Sequence, residues 1–265
     1  MSSAEIGVFG GSGFYSFLDD VTEHHVETPY GSPSAPVHVG TLDDRRVAFL
    51  PRHGVDHEFP PHRINYRANL WAMRELGVSR LLAPCASGSL KPEIAPGDFV
   101  VCDQLVDRTS GREHTFFDGP EAYHVAFADP YCPELRAVAI EAGRAEGITT
   151  HDGGTVVVVE GPRFSTRAES HWYRDQGWEV INMTQHPEAV LARELGICYG
   201  TIALVTDYDV GVDDDDTVAA VTQEEVFAFF QANVGKVRNL LFRAVAAVPT
   251  ERACGCRGDS PLALD

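Results

Sequence analysis

The chain has 265 residues, of which 44% are hydrophobic, so it is long enough to bury one large core. Its 39 Asp and Glu residues outnumber 21 Lys and Arg, and the net charge of -18 disfavours binding to nucleic acid or an anionic membrane. An anionic substrate therefore needs a locally basic pocket. Because no apolar run reaches the roughly 20 residues that span a bilayer and the N-terminus lacks a signal-peptide pattern, we expect a cytoplasmic protein.

Short apolar runs alternate with longer amphipathic segments along the chain, as in a layered α/β domain. We predict one domain over residues 1–265, an α/β fold with a mixed β-sheet flanked by helices and a peripheral tail at about 250–265. The predicted strands are 6–9, 47–50, 81–83, 99–103, 155–159, 180–182 and 198–206. The predicted helices are 65–76, 133–146, 168–176, 187–195 and 223–247, and a glycine follows each of the first four.

The first glycine-rich motif is Gly7-Val8-Phe9-Gly10-Gly11-Ser12-Gly13, in which the turn follows the first strand. Such a turn lets backbone N–H groups approach an anion, and Ser12 adds a hydroxyl donor. The spacing is close to a dinucleotide-binding fingerprint, but no second strand ending in an acid follows about 20 residues on. We interpret the turn as an anion-binding loop; a nicotinamide site or a purely structural turn are the alternatives.

Polar motifs follow three later strands, where ligands bind in open α/β sheets. Arg52 and His53 offer a guanidinium fork and a second donor suited to phosphate. Phe164 follows a Gly-Pro turn and could stack on a planar base, or it could be a core aromatic. Thr184 lies near the start of a helix, where its hydroxyl could contact an anion.

Two acids, Asp207 and Asp209, follow another apolar strand, and both can face one pocket if the chain stays extended. A carboxylate there accepts from an amino group, whereas a protonated carboxyl can act as a general acid. A local turn held by an Asp side chain is the alternative. The acidic run at 213–216 is interpreted as a solvated loop.

Six cysteines are present, and those at 85, 102, 132 and 198 stand alone, so we interpret them as small buried hydrophobic residues. Cys254 and Cys256 are separated by a single glycine. We expect plain thiols there, with a strained disulfide or half of a metal site as alternatives. Zinc is not expected, because no second Cys/His pair has suitable spacing. No metal and no organic cofactor is predicted.

Taken in order, several blocks of this sequence resemble the methylthioadenosine-cleaving branch of the trimeric purine-nucleoside phosphorylase family. The resemblance runs from about residue 6 to 209. The blocks are Arg52-His53-Gly54, Asn65-Tyr66-Arg67-Ala68-Asn69, Gly88-Ser89-Leu90 with Pro96-Gly97-Asp98, Glu160-Gly161-Pro162-Arg163-Phe164, and Asn182-Met183-Thr184 with Pro187-Glu188.

The resemblance implies roles for individual residues. Phosphate would be surrounded by Ser12, Arg52, His53, Thr184 and Ala86, the last through its backbone. The base and ribose would contact Phe164 and Met183, and Asp207 and Asp209 would read the purine edge. Asp207 and Ser165 point to adenine, since 6-oxopurine enzymes of the family are expected to carry Asn and Glu there, and a carboxylate repels a carbonyl oxygen.

The resemblance also implies a homotrimer in which His124 reaches across the interface toward the 5′ substituent, with Val210, Val212 and Val218 as an apolar pocket. The implied reaction converts 5′-methylthioadenosine and phosphate, a co-substrate, into adenine and 5-methylthioribose 1-phosphate, with Asp207 as general acid. Alternatives are phosphorolysis of methylthioinosine or another 6-oxopurine nucleoside, and simple hydrolysis. A nicotinamide-dependent oxidoreductase and a non-catalytic nucleotide-binding protein are the candidates from other classes.

Overall fold

The structure is a computed structural model, and it describes residues 3–10, 18–210, 212 and 219–264. Three features named above therefore lie outside the described residues: the predicted phosphate ligand Ser12, the acidic run at 213–216, and Val218.

One mixed sheet contains eleven strands within the described part of the chain. They are β1 (Ile6–Gly10), β2 (Asp19–His24), β3 (Val37–Leu42), β4 (Arg45–Pro51), β5 (Arg80–Ser89), β6 (Phe99–Val101), β7 (Gln104–Arg108), β8 (Thr150–Asp152), β9 (Thr155–Val159), β10 (Val180–Asn182) and β11 (Cys198–Tyr208). The main path runs β2-β3-β4-β1-β5-β10-β9-β7, while β11 pairs with β5 and β6, and β8 pairs with β6. Because β1, β4, β5 and β11 are parallel neighbours, their carboxyl ends meet at one edge.

Five helices pack against this sheet: α1 (Tyr66–Glu75), α2 (Pro133–Ala145), α3 (Arg167–Asp175), α4 (Gln185–Glu194) and α5 (Gln223–Ala247). Helices α1 and α4 contribute Leu70 and Leu191 to one buried apolar cluster, while α2 and α5 contribute Leu135 and Leu240 to a second. All five predicted helices are found within two residues of their expected ends. None of the helices in the described ranges is long and apolar enough to cross a membrane.

Four strands were not predicted, namely β2, β3, β7 and β8. Strands β2 and β7 are the two ends of the main sheet path and are largely exposed, so they lack the apolar pattern of a buried strand. Gly40 interrupts β3, and a Cβ atom there would lie 2.6 Å from Leu18 Cβ. Antiparallel pairing of β2 with β3 also departs from the parallel second strand of a dinucleotide-binding fold.

The C-terminal segment runs along the surface of the protein and is fixed to it at two buried positions. Cys256 and Ser260 are buried, and Ser260 Oγ donates to the Glu194 carbonyl. Cys132 and Cys198 are buried in an apolar cluster, as expected, but they do not stand alone, because their sulfurs lie close to those of Cys254 and Cys256. The search for a second Cys/His pair missed this group, because Cys132 and Cys198 are single cysteines in separate parts of the sequence.

Candidate active site

A cavity of about 380 Å³ opens where β4, β5, β9, β10 and β11 end. Its volume suits a small organic ligand, and its position is where open α/β sheets bind ligands. Nine of the predicted site residues line it: Arg52, His53, Ala86, Phe164, Ser165, Met183, Thr184, Asp207 and Asp209.

Arg52 is held in the cavity wall by a buried carboxylate. Its Nε and Nη2 donate to the two Glu188 carboxylate oxygens at 2.7 and 3.0 Å, and Nη1 donates to the Pro84 carbonyl at 2.7 Å. Tyr199 donates to the same carboxylate at 2.8 Å. A guanidinium has five N–H groups, so two remain for a ligand. The sequence flagged Glu188 only as part of a motif, and its role as the partner of Arg52 was missed.

His53 Nδ1 lies 2.9 Å from the Phe59 carbonyl oxygen. A carbonyl only accepts, so Nδ1 carries the proton and Nε2 is an acceptor in the neutral ring. Burial lowers the pKa of His53 to about 3, which keeps the ring neutral. His57 stacks on it with ring centroids 4.3 Å apart and also lines the cavity.

Thr184 and Ala86 supply smaller contact groups to the same wall. Thr184 is buried at the N-cap of α4, yet its side chain makes no capping hydrogen bond. The hydroxyl is therefore available to a ligand, although the backbone at His186 is non-helical and Thr184 does not adjoin the end of a regular helix. Ala86 lies on β5, paired with Leu204 of β11, so it can offer the cavity only its backbone and a methyl group.

Asp207 enters the cavity from an irregularity in β11. The register with β5 shifts between Val205 and Asp207, a bulge that re-aims the side chain. Thr206 Oγ1 donates to Asp207 Oδ2 at 2.7 Å. Burial raises the pKa of Asp207 to about 6, and the negative charges of Asp209 and Glu225 add to that rise.

Asp209 is the second carboxyl of the cavity and is 3% exposed. Burial raises its pKa as well. Hydrogen bonds from Ser170 and Ser165 oppose that rise and hold the carboxyl in place. Gly88 gives both acids room, because a Cβ atom there would lie 3.1 Å from Asp207 Oδ1 and 3.6 Å from Asp209 Cβ.

The loops that carry Phe164 and Met183 are tied together by Arg112, which the sequence did not single out. Its guanidinium donates to the carbonyls of Met183 and Glu160 at 2.9 and 2.7 Å, and to the Glu160 carboxylate at 3.1 Å. Gly161 passes closely under Met183, and a Cβ atom there would lie 2.5 Å from its sulfur. No local pattern could identify Arg112, because its partners come from distant segments.

The apolar wall of the cavity comes from α5. Val226, Phe230 and Val234, which lie on one face of this helix, line the cavity. Val210 and Val212, expected to form an apolar pocket, are buried but are not among its lining residues. Their predicted role in an apolar pocket with Val218 stays a prediction, because Val218 lies outside the described residues.

His124 is exposed on the segment between β7 and α2, and it does not belong to the cavity lining of this chain. A single chain therefore does not bring it to the other predicted site residues. Its predicted role across a subunit interface stays a prediction.

The fold and this cavity define an α/β protein built to hold a small ligand with both anionic and polar parts. The sequence matches the Phosphorylase superfamily over residues 5–246, and the chain belongs to that family.

Individual relatives agree with this assignment. The chain is 57% identical to a purine nucleoside phosphorylase of Streptomyces coelicolor over 96% of this chain and 93% of the relative. It is 58% identical to an S-methyl-5′-thioadenosine phosphorylase of Mycolicibacterium smegmatis, covering 94% and 93%. A solved variant of adenosine/methylthioadenosine phosphorylase from Schistosoma mansoni, in complex with adenine, matches with a TM-score of 0.88 at 38% identity, covering 94% and 93%. The expected fold and family are thereby confirmed.

Proposed function

We propose that this protein cleaves 5′-methylthioadenosine with inorganic phosphate, releasing adenine and 5-methylthioribose 1-phosphate. The observation that carries the proposal is one cavity lined by an oriented arginine and by two acids of raised pKa. Phosphorolysis needs an anion site for phosphate and a group that protonates the leaving base. Hydrolysis does not need the anion site. The reaction requires no metal or organic cofactor.

Phosphate is proposed to bind between Arg52, His53, Thr184 and the Ala86 backbone. The two N–H groups of Arg52 that Glu188 and Pro84 leave unused are donors for the phosphate oxygens. In the neutral ring, His53 Nε2 accepts a hydrogen bond from a phosphate hydroxyl. The bound dianion then attacks the anomeric carbon and stabilises the positive charge that develops on the ribose.

Asp207 is the proposed general acid. As the glycosidic bond breaks, negative charge collects on the imidazole ring of adenine, and a proton delivered to its nitrogen neutralises that charge. A carboxyl with a pKa of about 6 holds a proton in part of the molecules near neutral pH. The bulge at the end of β11 presents this carboxyl to the cavity.

The choice of purine cannot be taken from overall identity, because relatives at 57% and 58% identity carry different substrate names. The local chemistry favours adenine. Asp207 and Asp209 both line the cavity, and a carboxylate oxygen accepts a hydrogen bond from an exocyclic amino group. A 6-oxopurine would place a carbonyl oxygen against a carboxylate and is disfavoured.

At the 5′ position, the α5 wall favours a methylthio group over a hydroxyl. Val226, Phe230 and Val234 present apolar surface to the cavity, and removing one small apolar group from water contributes only a modest preference. Adenosine is therefore expected to be a weaker substrate rather than an excluded one.

The homotrimer, with His124 completing a neighbouring site, and the cytoplasmic location stay part of the proposal. The exposed position of His124, outside the cavity of its own chain, is compatible with an interface role. Light scattering should give a mass three times the 28.9 kDa of one chain. A monomer with full activity would remove His124 from the site.

The specificity test compares methylthioadenosine, methylthioinosine, adenosine and inosine as substrates at saturating phosphate. We expect the highest kcat/KM for methylthioadenosine, a lower value for adenosine, and little hypoxanthine release from either inosine compound. Asp209→Asn is a matched variant that keeps the shape of the side chain but replaces a carboxylate oxygen with an amide nitrogen. It should reduce the ratio of kcat/KM for methylthioadenosine to kcat/KM for methylthioinosine. Preferential hypoxanthine release by the wild type would retain the phosphorylase activity and overturn the purine assignment.

A further inference from the structure

Four cysteine sulfurs meet at the edge of the sheet opposite the cavity. Cys132, Cys198, Cys254 and Cys256 place their Sγ atoms within 4.8 Å of one another. They come from the N-cap of α2, the first residue of β11 and the C-terminal segment. Cys198 and Asp207 lie nine residues apart on the same strand, about 30 Å in an extended chain. The cluster is therefore separate from the proposed chemistry.

The spacing of the sulfurs matches a tetrahedral metal site. Cys254 Sγ lies 3.4 Å from Cys198 Sγ and 3.7 Å from Cys132 Sγ. Four sulfurs about 2.3 Å from a central Zn²⁺ are separated by about 3.8 Å along each edge of the tetrahedron. The sulfur atoms of a disulfide are about 2.05 Å apart, and a disulfide joins only two of them.

The surroundings of the cluster suit a closed structural ion. Three of the four cysteines are buried, and Cys254 is partly exposed. Apolar side chains such as Leu135 and Val248 pack around them.

Two hydrogen bonds, each between a side chain and a backbone group, hold the C-terminal segment over the cluster. The Ala253 N–H donates to Glu134 Oε1 at 2.7 Å, in the first turn of α2. Arg252 Nη1 donates to the Gly196 carbonyl at 2.7 Å, two residues before Cys198. The ligands are thus brought together by contacts that do not involve the sulfurs themselves.

We propose that these four cysteines bind one zinc ion as thiolates, and that the ion fastens the C-terminal segment to α2 and β11. Each thiol releases its proton to solvent on coordination, and no oxidant or reductant takes part. Zinc fits better than a redox-active metal because a fourfold thiolate set with no open position is typical of structural zinc. The role is stability of the fold rather than catalysis.

The test is metal analysis of full-length protein, purified under reducing conditions without a polyhistidine tag from cells grown with added zinc. We expect about one zinc per chain, and six thiols per chain after denaturation with a chelator. Exchange with cobalt(II) should give the visible absorption bands of a tetrahedral cobalt–thiolate site. Cys254→Ser should lose the zinc and lower Tm while kcat for the proposed reaction stays within about twofold of the wild-type value.

Cys102→Ala is the matched control, since Cys102 is a buried cysteine outside the cluster, and this variant should keep its zinc. The proposal is overturned by folded protein without zinc and with six free thiols, by the loss of two or four thiols to disulfides, or by stoichiometric iron. Zinc retained in Cys254→Ser would also contradict it. None of these readouts depends on which nucleoside the enzyme cleaves.

Discussion

Replacing Asp207 with Asn removes an acid while keeping the shape of the side chain. With a pKa of about 6, roughly one in ten Asp207 carboxyls holds a proton at pH 7, and about one in a hundred does at pH 8. If the protonated form is the general acid, wild-type kcat/KM falls about tenfold per pH unit above pH 6. General acid catalysis contributes about 10²–10⁴-fold, so Asp207→Asn should lose at least about a hundredfold in kcat.

The assay is adenine release from methylthioadenosine between pH 5 and 9 at saturating phosphate. In the pH–rate profile, the decrease at alkaline pH that we assign to Asp207 should disappear in Asp207→Asn. A decrease due to the ionisation of phosphate itself would persist in both proteins. Thr206→Val is a second probe, because losing the hydroxyl that donates to Asp207 Oδ2 should raise the pKa and move the decrease assigned to Asp207 to higher pH. Wild-type kcat in Asp207→Asn, or an unchanged decrease at alkaline pH, would refute the assignment.

Three further predictions concern the groups around the cavity. Glu188→Gln leaves the buried Arg52 without its carboxylate, so the free energy of unfolding should fall by about 3–5 kcal/mol in denaturant titrations. The KM for phosphate should rise at least about tenfold. An unchanged KM for phosphate would mean that Arg52 does not hold phosphate. Burial raises the Asp207 pKa from 3.8 to about 6, so its favourable contribution is complete only below pH 3.8 and is lost as the pH rises through 6. Asp207→Asn should therefore be up to about 3 kcal/mol more stable than wild type at pH 7 and equally stable at about pH 3. Equal Tm values of the two proteins at both pH values would contradict this. Arg112→Lys cannot reproduce the multiple contacts to the Glu160 and Met183 segments, so the nucleoside KM should rise more than the phosphate KM, and equal changes would point to a general loss of structure.

The elements that could be predicted from sequence are those whose own residues carry the apolar pattern of a buried strand or of a helix with one buried face. Strand β9 is an unbroken run of Val after Thr155, and α5 repeats apolar residues close to every 3.6 positions. Strands β2 and β7 were missed because their backbone pairing, rather than apolar burial, makes them strands at the sheet ends. Propensity and periodicity do not report such pairing.

The same distinction applies to the site. Arg52, Thr184 and Asp207 were identifiable because each directly follows a strand that the sequence shows clearly. The partner of Arg52, the loop clamp formed by Arg112 and the meeting of the four cysteines depend on contacts between residues more than 45 positions apart. One sequence without spatial information contains no local signal for such contacts.

The most direct test of the proposed function is the stoichiometry of methylthioadenosine cleavage with and without inorganic phosphate. Purified enzyme should consume one phosphate for each adenine released and form an equal amount of 5-methylthioribose 1-phosphate, with no adenine release in phosphate-free buffer. Adenine released at an undiminished rate without phosphate, together with free methylthioribose, would contradict the account and make the protein a hydrolase.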